Sequence, residues 1–339
     1  MKIAVDAMGG DNAPGQIVRG ALQAAAEGRM EVVLVGQEDK IKAVAGDLPG
    51  NVSIHHCPEV IENEDKPLMA IRRKRKASLV IALNLVKDGA VDAVVSAGNT
   101  GAFMAGASLL VGRIPGVGKP ALAPVLPTVD GKGVVAVDLG STMDPRPENL
   151  YQYAIMGNLY SQTVFGHKSP RIGLLNVGVE AEKGNDLAKK AHVLLQQSSL
   201  NFVGNVEARD VMQGICDVLV CDGFVGNVLL KSMEGVAQAI FAGIKESVKT
   251  GGVKAKLGAV LLKDSLKSFK DQLDYSQHGG APLLGINGVC VKCHGSADAS
   301  TVKNAVLKQA YLLAQNQAIA KIAKVMEGNS SGENSAGDR

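Results

Sequence analysis

Three segments of the chain place small and polar residues directly after a short apolar run. They are residues 93–101 (AVVSAGNTG), 218–227 (VLVCDGFVGN) and 289–296 (VCVKCHGS). Each pattern predicts a buried strand, a glycine-containing turn and the start of a helix. The first turn of a helix has free N–H groups and the positive end of the helix dipole, which together attract phosphate. If the three turns meet at the carboxyl edge of one sheet, they predict an α/β enzyme that handles a phosphate group.

The residues expected to hold this phosphate lie in the first two turns. They are Gly98, Asn99 and Thr100 in the first turn, and Asp222, Gly223 and Gly226 in the second. Lys183 follows another strand-like run, residues 172–176, within the sequence EAEKG. A lysine at the carboxyl end of a strand can stabilise a phosphate or a developing oxyanion. A charged, solvated loop is the alternative interpretation of this lysine.

Five consecutive basic residues, 72–76, lie inside a segment, 67–87, whose apolar residues have helical spacing. At about 100° per residue, five charges surround a helix completely. Arg72 and Arg75 are therefore expected near the apolar face. Their side chains either extend past that face to solvent or face a cleft that holds an anion.

Residues 253–273 combine an apolar helical stripe with consecutive apolar residues and flanking lysines. Val260, Leu261 and Leu262 follow one another, so one helix face cannot hide all three. The pattern favours two short helices that meet at an apolar tip formed by these three residues. Lysines beside such a tip suit a lipid headgroup surface. A dimerisation or core-packing hairpin is the alternative.

The composition limits the class of protein. Hydrophobic residues make up 46% of the chain, with no Trp and six Phe, which predicts an aliphatic core of parallel strands covered by helices. A net charge of +3 and few aromatic residues argue against a nucleic-acid partner. The chain enters a strand pattern at once, and no uncharged apolar stretch reaches about 18 residues, so neither a signal peptide nor a membrane span is expected. The five cysteines then suggest reduced thiols in a cytoplasmic protein.

Strand-like and helical runs alternate along the chain and predict a mainly parallel sheet. The candidate strands are 3–5, 32–35, 52–55, 91–96, 134–137, 172–176, 202–206, 218–221 and 289–292. The clearest helical segments are 16–27, 67–87, 147–165 and 186–197. We expect one α/β domain over residues 1–327 with the helical hairpin inserted at about 250–275. Residues 328–339 are rich in Ser, Gly and Asn and are expected to be disordered.

Cysteine spacing raises the question of a metal. Cys290, Cys293 and His294 match a haem-attachment motif, and Cys216 and Cys221 add possible zinc ligands. Haem attachment belongs to exported proteins, and the Cys216 spacing is not that of a zinc ribbon. Buried cysteines on apolar strands explain the pattern, so neither a metal nor a cofactor is expected.

Several motifs, in the same order along almost the whole chain, resemble the phosphate acyltransferases of bacterial phospholipid synthesis, the PlsX family. They are residues 6–11 (DAMGGD), 96–102 (SAGNTGA), 175–184 (LNVGVEAEKG), 222–231 (DGFVGNVLLK), 279–285 (GGAPLLG) and 294–296 (HGS). The chain departs from the family at Gly140-Ser141-Thr142, where Gly-Ala-Asn is usual, and at Cys293, where Ser is common. The resemblance implies an α/β/α sandwich akin to phosphotransacetylase and the isocitrate dehydrogenase group.

The resemblance also implies a reaction in which acyl-[acyl carrier protein] and inorganic phosphate give acyl phosphate and free carrier. It further implies a homodimer, peripheral membrane association, and a glycerol-3-phosphate acyltransferase that takes the product. Because phosphate is then the nucleophile, the protein must hold it against the thioester carbonyl and stabilise a tetrahedral oxyanion. Lys183 is expected to bind the phosphate, and Asn227 or His294 to donate to the oxyanion or protonate the leaving thiolate. Arg72 and Arg75 would face the acidic carrier protein or the substrate cleft.

Three other functions stay open on the sequence. One is acyl transfer to phosphate from a coenzyme A thioester, as in phosphotransacetylase, although the lysine-edged apolar hairpin argues against a purely soluble short-chain substrate. An NAD-dependent dehydrogenase on the related fold would bind nicotinamide. A non-enzymatic sensor would bind acyl carrier or lipid without phosphate-dependent turnover.

Overall fold

A computed structural model of the chain describes residues 1–28, 30–273 and 275–333, and it contains two β-sheets with helices around them. The strands are β1 (Lys2–Asp6), β2 (Glu31–Gly36), β3 (Val52–His56), β4 (Ala93–Ser96), β5 (Ala121–Leu122), β6 (Val125–Leu126), β7 (Val134–Val137), β8 (Ile172–Asn176), β9 (Phe202–Glu207), β10 (Val218–Val220), β11 (Ala281–Leu284) and β12 (Val289–Lys292).

The α-helices are α1 (Gly15–Glu27), α2 (Glu38–Ala45), α3 (Pro67–Arg73), α4 (Ser78–Lys87), α5 (Thr100–Gly106), α6 (Pro147–Tyr160), α7 (Asp186–Gln196), α8 (Gly223–Thr250), α9 (Gly252–Leu273), α10 (Ala299–Asn304), α11 (Leu312–Gln315) and α12 (Ala318–Glu333). Wider helical turns continue three of them, at Ala107–Val111 after α5, Ser161–Phe165 after α6 and Ala305–Tyr311 after α10. Short 3₁₀ turns occur at Ala208–Gln213 and Tyr275–His278.

The larger sheet has seven strands in the order β3-β2-β1-β4-β12-β11-β5. Its strands from β3 to β12 are parallel, and β11 runs antiparallel to both β12 and β5. Side chains on successive residues of a strand point to opposite faces. Accordingly, Ile3 and Val5 join one buried cluster with α1 and α10, whereas Ala4 joins another with α4 and α5. Helices therefore cover both faces, which explains why these strands are apolar at nearly every position.

The smaller sheet has five strands in the order β6-β7-β10-β8-β9, parallel except for β6. One contiguous cluster of buried apolar side chains includes Val95 of the larger sheet, Val137 and Val220 of the smaller sheet, and the fully buried Tyr153 of α6. The two sheets thus share a core. The predicted α/β fold with mainly parallel strands is confirmed.

The prediction that three turns end at one sheet is wrong. The turns after β4 and β12 belong to the seven-stranded sheet, but the turn after β10 belongs to the five-stranded sheet. The short strands β5, β6 and β11 were not predicted either. β5 and β6 have only two residues each and β11 contains Pro282, so none of the three shows an apolar strand pattern, and β5 and β11 are defined by their pairing with each other and with β12.

Residues 67–87 form two helices and not the single helix that the apolar spacing predicted. α3 ends at Arg73, and Lys74 has the non-helical angles φ −89° and ψ 61°. The Lys74 ammonium bonds the Asp65 carboxylate at 2.5 Å and the Val60 carbonyl at 3.0 Å. The helix therefore ends where this lysine turns inward. Arg72 and Arg75 are not forced against an apolar face, and both are exposed.

The helical hairpin is present, but its helices are long and its turn lies elsewhere than predicted. α8 has 28 residues and α9 has 22, and they meet at Gly251. Val260, Leu261 and Leu262 consequently lie inside α9, with exposed fractions of 69%, 78% and 56%, and do not form the tip. The apolar side chain nearest the turn is Val253, at 84% exposure.

The final helix, α12, continues to Glu333, past the position where the predicted disordered tail begins. The last six positions of that predicted tail, 334–339, lie outside the described residues. Within the part of the chain that the structure describes, no helix combines the length and apolarity needed to cross a membrane.

Gly279 closes the return from the hairpin to β11 and gives a test of the packing there. Its φ is +85°, and a Cβ would lie 2.2 Å from the carbonyl carbon of Asn304. Both the backbone strain and the contact with backbone atoms disfavour any side chain. We expect Gly279→Ala to lower the free energy of unfolding by at least about 2 kcal/mol, measured by urea denaturation.

The matched control is Gly235→Ala in the interior of α8, where a Cβ would meet no atom within 4 Å. This change should leave stability unchanged or raise it by about 0.5–1 kcal/mol, because alanine favours a helix over glycine. Equal effects of the two substitutions would contradict the described packing of Gly279.

Candidate active site

Three polar side chains lie side by side where the central strands of the larger sheet end. Asp6 and Lys292 both pair in register with Ser96 across β1, β4 and β12. All three are buried, with exposed fractions of 1%, 1% and 6% for Asp6, Ser96 and Lys292. Ser96 Oγ donates to Asp6 Oδ2 at 2.7 Å, and the Lys292 ammonium donates to the Cys293 carbonyl. This polar row supports the turns that follow the three strands.

Burial changes the acidity of the charged members of this row. Removal from water raises the pKa of the Asp6 carboxyl, and the hydrogen bond from Ser96 opposes that rise. Burial also lowers the pKa of the Lys292 ammonium to about 8, although nearby Asp6 favours its charged form. Lys292 and Ser96 were not predicted as partners of Asp6. The available signal was a polar residue at the end of each of three apolar runs.

The turn after β4 contains three of the predicted phosphate-binding residues, and its side chains are largely engaged. Gly98 N donates to Ser96 Oγ at 3.1 Å. Asn99 Oδ1 caps α5 by accepting from Ala102 N at 2.9 Å, while its Nδ2 donates to the Asn63 carbonyl at 2.9 Å. The Asn99 amide therefore holds a neighbouring loop. Thr100 is exposed in the first turn of α5, so this turn can offer backbone N–H groups and a hydroxyl.

His294 lies in the turn after β12, in the same sheet. Its Nδ1 accepts from the backbone N–H of Ser296 at 3.2 Å and lies 2.7 Å from the Ser296 hydroxyl. Because a backbone N–H can only donate, Nδ1 is the acceptor, and the proton of the neutral ring is on Nε2. The turn is tied to the loop after β1, since Asp11 N donates to the Gly295 carbonyl at 2.8 Å. His294 is thus oriented as a donor through Nε2.

A buried carboxylate shapes the end of the smaller sheet. Asp138 follows β7 and is completely buried, and it accepts hydrogen bonds from the backbone N–H groups of Gly140, Ser141 and Thr142 at 3.3, 2.6 and 3.1 Å. Burial raises the pKa of this carboxyl, and those three donors act against the rise. Ser141 Oγ in turn accepts from Leu122 N at 3.0 Å, which joins this turn to β5 of the larger sheet. Asp138 was not predicted as a functional residue.

The first turn of α8 packs directly on the turn that Asp138 holds. Asp222 caps the helix by accepting from Val225 N at 2.9 Å, and Gly223 N donates to the Thr142 carbonyl at 2.9 Å. A Cβ on Gly223 would lie 2.6 Å from that carbonyl oxygen, so only glycine allows this approach. A Cβ on Gly140 would lie 3.6 Å from Asn227 Cβ, which places Asn227 beside the same turn.

Lys183 follows β8, the strand next to β10 in the smaller sheet. Because β7, β10 and β8 are parallel neighbours, the residues after them share one sheet edge. The structure therefore places Asp222, Gly223, Gly226 and Asn227 directly after β10, at the edge where the loop that contains Lys183 leaves β8. It places Gly98, Asn99, Thr100 and His294 at the edge of the other sheet.

Arg72 lies in the last turn of α3, and Arg75 lies just beyond the end of that helix. The first residue of α3, Pro67, lies against the start of α5, because a Cβ on Gly101 would lie 2.7 Å from Pro67 Cγ. Val260, Leu261 and Leu262 lie on the hairpin, away from both sheet edges. The structure does not bring these two groups together with the residues at either edge.

All five cysteines are free and buried. Burial raises the pKa of Cys57 to about 11 and the pKa values of Cys216, Cys290 and Cys293 to about 12. Among the described residues, no group of three or more His, Cys, Asp and Glu side chains is arranged to hold a metal ion. The cysteines of this structure act as small apolar side chains.

The buried Lys292 predicts a specific pH dependence of stability. Its pKa falls from 10.5 in an exposed lysine to about 8 in the fold, so the unfolded chain binds more protons between these pH values. Stability therefore rises with pH in this window. The unfolding free energy of the wild type minus that of Lys292→Met should therefore rise by about 2–3 kcal/mol from pH 8 to pH 10. Urea denaturation across this range measures the unfolding free energies, and Lys40→Met, at an exposed lysine, is the control. If the unfolding free energies of wild type and Lys292→Met change equally with pH, the lowered pKa of Lys292 is refuted.

Comparisons with known proteins identify the family of this chain. A family profile described as "Fatty acid synthesis protein" matches residues 1–321. The phosphate acyltransferase of Geobacillus thermodenitrificans is 50% identical over 328 residues, which cover 96% of this chain and 99% of the relative. The phosphate acyltransferase of Oceanobacillus iheyensis is 49% identical over 327 residues, with coverage of 96% and 98%.

Solved structures show the same fold at much lower identity. A phosphotransacetylase from Streptococcus pyogenes has a TM-score of 0.62 at 16% identity and covers 94% of both chains. The EutD phosphotransacetylase from Staphylococcus aureus has a TM-score of 0.58 at 17% identity and covers 93% of this chain and 94% of that one. The fold is therefore that of the phosphotransacetylases. Because the sequence match extends over nearly the whole chain, this chain belongs to the phosphate acyltransferase family of fatty acid and phospholipid synthesis and is an acyltransferase.

Proposed function

We propose that this enzyme transfers a fatty acyl group from the thioester of an acyl carrier protein to inorganic phosphate, giving acyl phosphate and the free carrier. The observation that carries the proposal is the row of parallel strands β7, β10 and β8. In this row β8, which leads into the loop of Lys183, lies next to β10, which leads into the first turn of α8. A lysine beside a helix N-terminus is an anion site, as a phosphate nucleophile requires.

In the proposed reaction, a phosphate oxygen attacks the thioester carbonyl carbon. A C–O bond forms, the carbonyl oxygen becomes an oxyanion, and the C–S bond then breaks and releases the carrier thiolate. Lys183 and the positive end of the α8 dipole hold the phosphate, so the protein supplies orientation without a nucleophilic side chain. Asn227, or His294 through Nε2, donates a hydrogen bond to the oxyanion or to the departing sulfur, and the thiolate takes up the proton that hydrogen phosphate loses.

The turn after β4 is the second part of the proposed phosphate site. The Asn99 side chain is engaged in capping and in holding residue 63, and Gly98 N donates to Ser96 Oγ, so Asn99 and Thr100 would contribute their backbone N–H groups and the Thr100 hydroxyl, while Gly98 shapes the turn. This turn is tied to the buried row of Asp6, Ser96 and Lys292 through the bond from Gly98 N to Ser96. The geometry within each edge is fixed by hydrogen bonds, as a preorganised anion site requires.

Carrier binding is proposed at Arg72 and Arg75. Both are exposed basic residues, and Arg75 Nε donates to the Arg72 carbonyl at 3.4 Å. Arg72 lies in the last turn of α3 and Arg75 follows the helix, while the other end of α3 lies against the start of α5, so a carrier docked on these arginines would lie one short helix away from the turn after β4. An acidic partner would be attracted to them in a salt-dependent way.

Peripheral membrane contact is proposed for the hairpin. α9 exposes Val253, Leu257, Val260 and Leu261, each at more than 60% exposure, and carries Lys254, Lys256, Lys263 and Lys267. Exposed apolar side chains among lysines suit an anionic bilayer surface. Homodimer formation, a cytoplasmic location at the membrane and a downstream glycerol-3-phosphate acyltransferase belong to the same proposal and are supported by the family resemblance.

A coenzyme A thioester is the second candidate acyl donor, favoured by the phosphotransacetylase fold. Direct comparison separates the two donors: acyl carrier protein and coenzyme A thioesters of the same chain are incubated with phosphate, and acyl phosphate is detected by mass spectrometry. Equal or greater kcat/KM with the coenzyme A thioester would overturn the carrier assignment.

Lys183→Ala tests the phosphate site. Loss of the ammonium should lower phosphate-dependent turnover by roughly a hundredfold or more, because the ammonium stabilises the negative charge of the transition state. Acyl phosphate formation is measured at saturating acyl carrier, and circular dichroism checks the fold. Lys189→Ala, a neighbouring exposed lysine on α7, should keep full turnover. A folded Lys183→Ala enzyme with near-normal turnover would remove Lys183 from the mechanism.

Leu261→Glu tests the membrane surface. Leu261 is 78% exposed on α9, and burying a leucine in lipid contributes roughly 1–3 kcal/mol. The substitution should weaken cosedimentation with anionic vesicles at least about tenfold and leave acyl phosphate formation in solution unchanged. Val193→Glu, an apolar residue of 49% exposure on α7, is the control and should not alter sedimentation. Unchanged sedimentation of the Leu261 variant would return the hairpin to a packing or dimerisation role.

A further inference from the structure

The loop that carries Lys183 is fixed to the end of β8 by its own hydrogen bonds. Asn176 Nδ2 donates to the Lys183 carbonyl at 3.1 Å, and Val177 N donates to Asn176 Oδ1 at 2.8 Å. Lys183 N donates to the Glu180 carbonyl at 3.1 Å and closes a turn. The position of the Lys183 backbone therefore depends on where the Glu180 carbonyl is held.

Two buried polar side chains outside the loop form a chain of hydrogen bonds that ends at that carbonyl. Asn205 on β9 donates Nδ2 to the Glu180 carbonyl at 2.7 Å. Asn205 Oδ1 lies 3.0 Å from Nδ1 of His192 on α7. The exposed fractions of Asn205 and His192 are only 6% and 7%. The His192 ring also packs edge-on against Phe202, with centroids 5.1 Å apart, which restricts its rotation.

The chemistry of the three groups sets the direction of each hydrogen bond. A backbone carbonyl accepts only, so the amide nitrogen of Asn205 faces Glu180 and the amide oxygen faces His192. His192 Nδ1 must then donate the proton to that oxygen. A flipped Asn205 amide would place its oxygen against the Glu180 carbonyl oxygen, which are both acceptors, and its nitrogen against the Nδ1–H of His192, which are both donors. The pair therefore has one stable arrangement, and that arrangement fixes the turn that ends at Lys183.

We propose that His192 and Asn205 are positioning residues that hold Lys183 in place for phosphate through the Glu180 carbonyl. This inference rests on the proposed role of Lys183. Neither side chain touches the substrate in this scheme. Their effect on the reaction passes through the backbone of residues 180–183, and it disappears when the Lys183 ammonium is absent.

A double-mutant cycle tests this dependence. Asn205→Asp keeps the oxygen that faces His192 but replaces the donor to Glu180 with an acceptor. It should lower kcat/KM for phosphate about tenfold to a hundredfold in the wild-type enzyme, because small displacements of a positioned group are costly. In the Lys183→Ala background the same substitution should lower kcat/KM less than about twofold. Asn316→Asp is the matched control, since Asn316 Nδ2 likewise donates to a backbone carbonyl, that of Thr163, at 3.1 Å; it should be silent in both backgrounds.

A second pair of variants covers the case in which Asn205→Asp does not fold. His192→Asn keeps a donor near the position of Nδ1 and should retain most activity, whereas His192→Leu, of similar volume, should lose activity by the same factor as Asn205→Asp. Equal loss in both backgrounds, or equal behaviour of the asparagine and leucine variants, would overturn the positioning role. Near-normal turnover of Lys183→Ala alone would instead overturn the proposed function of Lys183, and this inference with it.

Discussion

The arrangement of the candidate site depends on the hydrogen bonds that the buried Asp138 carboxylate accepts. This carboxylate is completely buried, and a buried charge is costly unless hydrogen bonds compensate it. Three successive backbone N–H groups of residues 140–142 provide that compensation and are thereby fixed themselves. The resulting turn receives Gly223 N from α8 and Leu122 N from β5. One buried carboxylate thus determines where α8 begins and where the two sheets meet.

α8 connects two surfaces that a lipid-synthesising enzyme has to coordinate. Its first turn lies at the edge of the smaller sheet, and its 28 residues extend for about 40 Å to the turn of the hairpin. The helix needs glycine at its start, because Gly223 approaches the Thr142 carbonyl too closely for a side chain. Further along, it exposes Val236 and Ile240 at 59% and 53%. A single rigid element therefore extends from the proposed reaction site to the proposed membrane contact.

Much of the secondary structure and of the site could be predicted from local pattern. The long apolar strands, the helices α1, α6 and α7, and the strand–turn–helix segments after β4 and β10 follow from spacing, because both faces of these strands are covered and every position must be apolar. The family motifs also predicted Lys183 and Asn227 as site residues, and their roles stay predictions. The break at Lys74 was missed, since its cause is an ion pair with Asp65 and a hydrogen bond with Val60, and apolar spacing does not report either.

The sequence by itself determined where most of the long apolar strands lie, which of the turns after them contain glycine, and that the chain belongs to a phosphate-handling α/β enzyme family. Only the tertiary structure decided that β10 lies in a different sheet from β4 and β12, and that Asp6, Ser96 and Lys292 share a register. Only it showed that Asn205 and His192 reach the Lys183 loop. The physical reason is that a residue's type and its neighbours along the chain set local conformation, whereas strand order and buried hydrogen-bond partners depend on contacts between residues far apart in the chain.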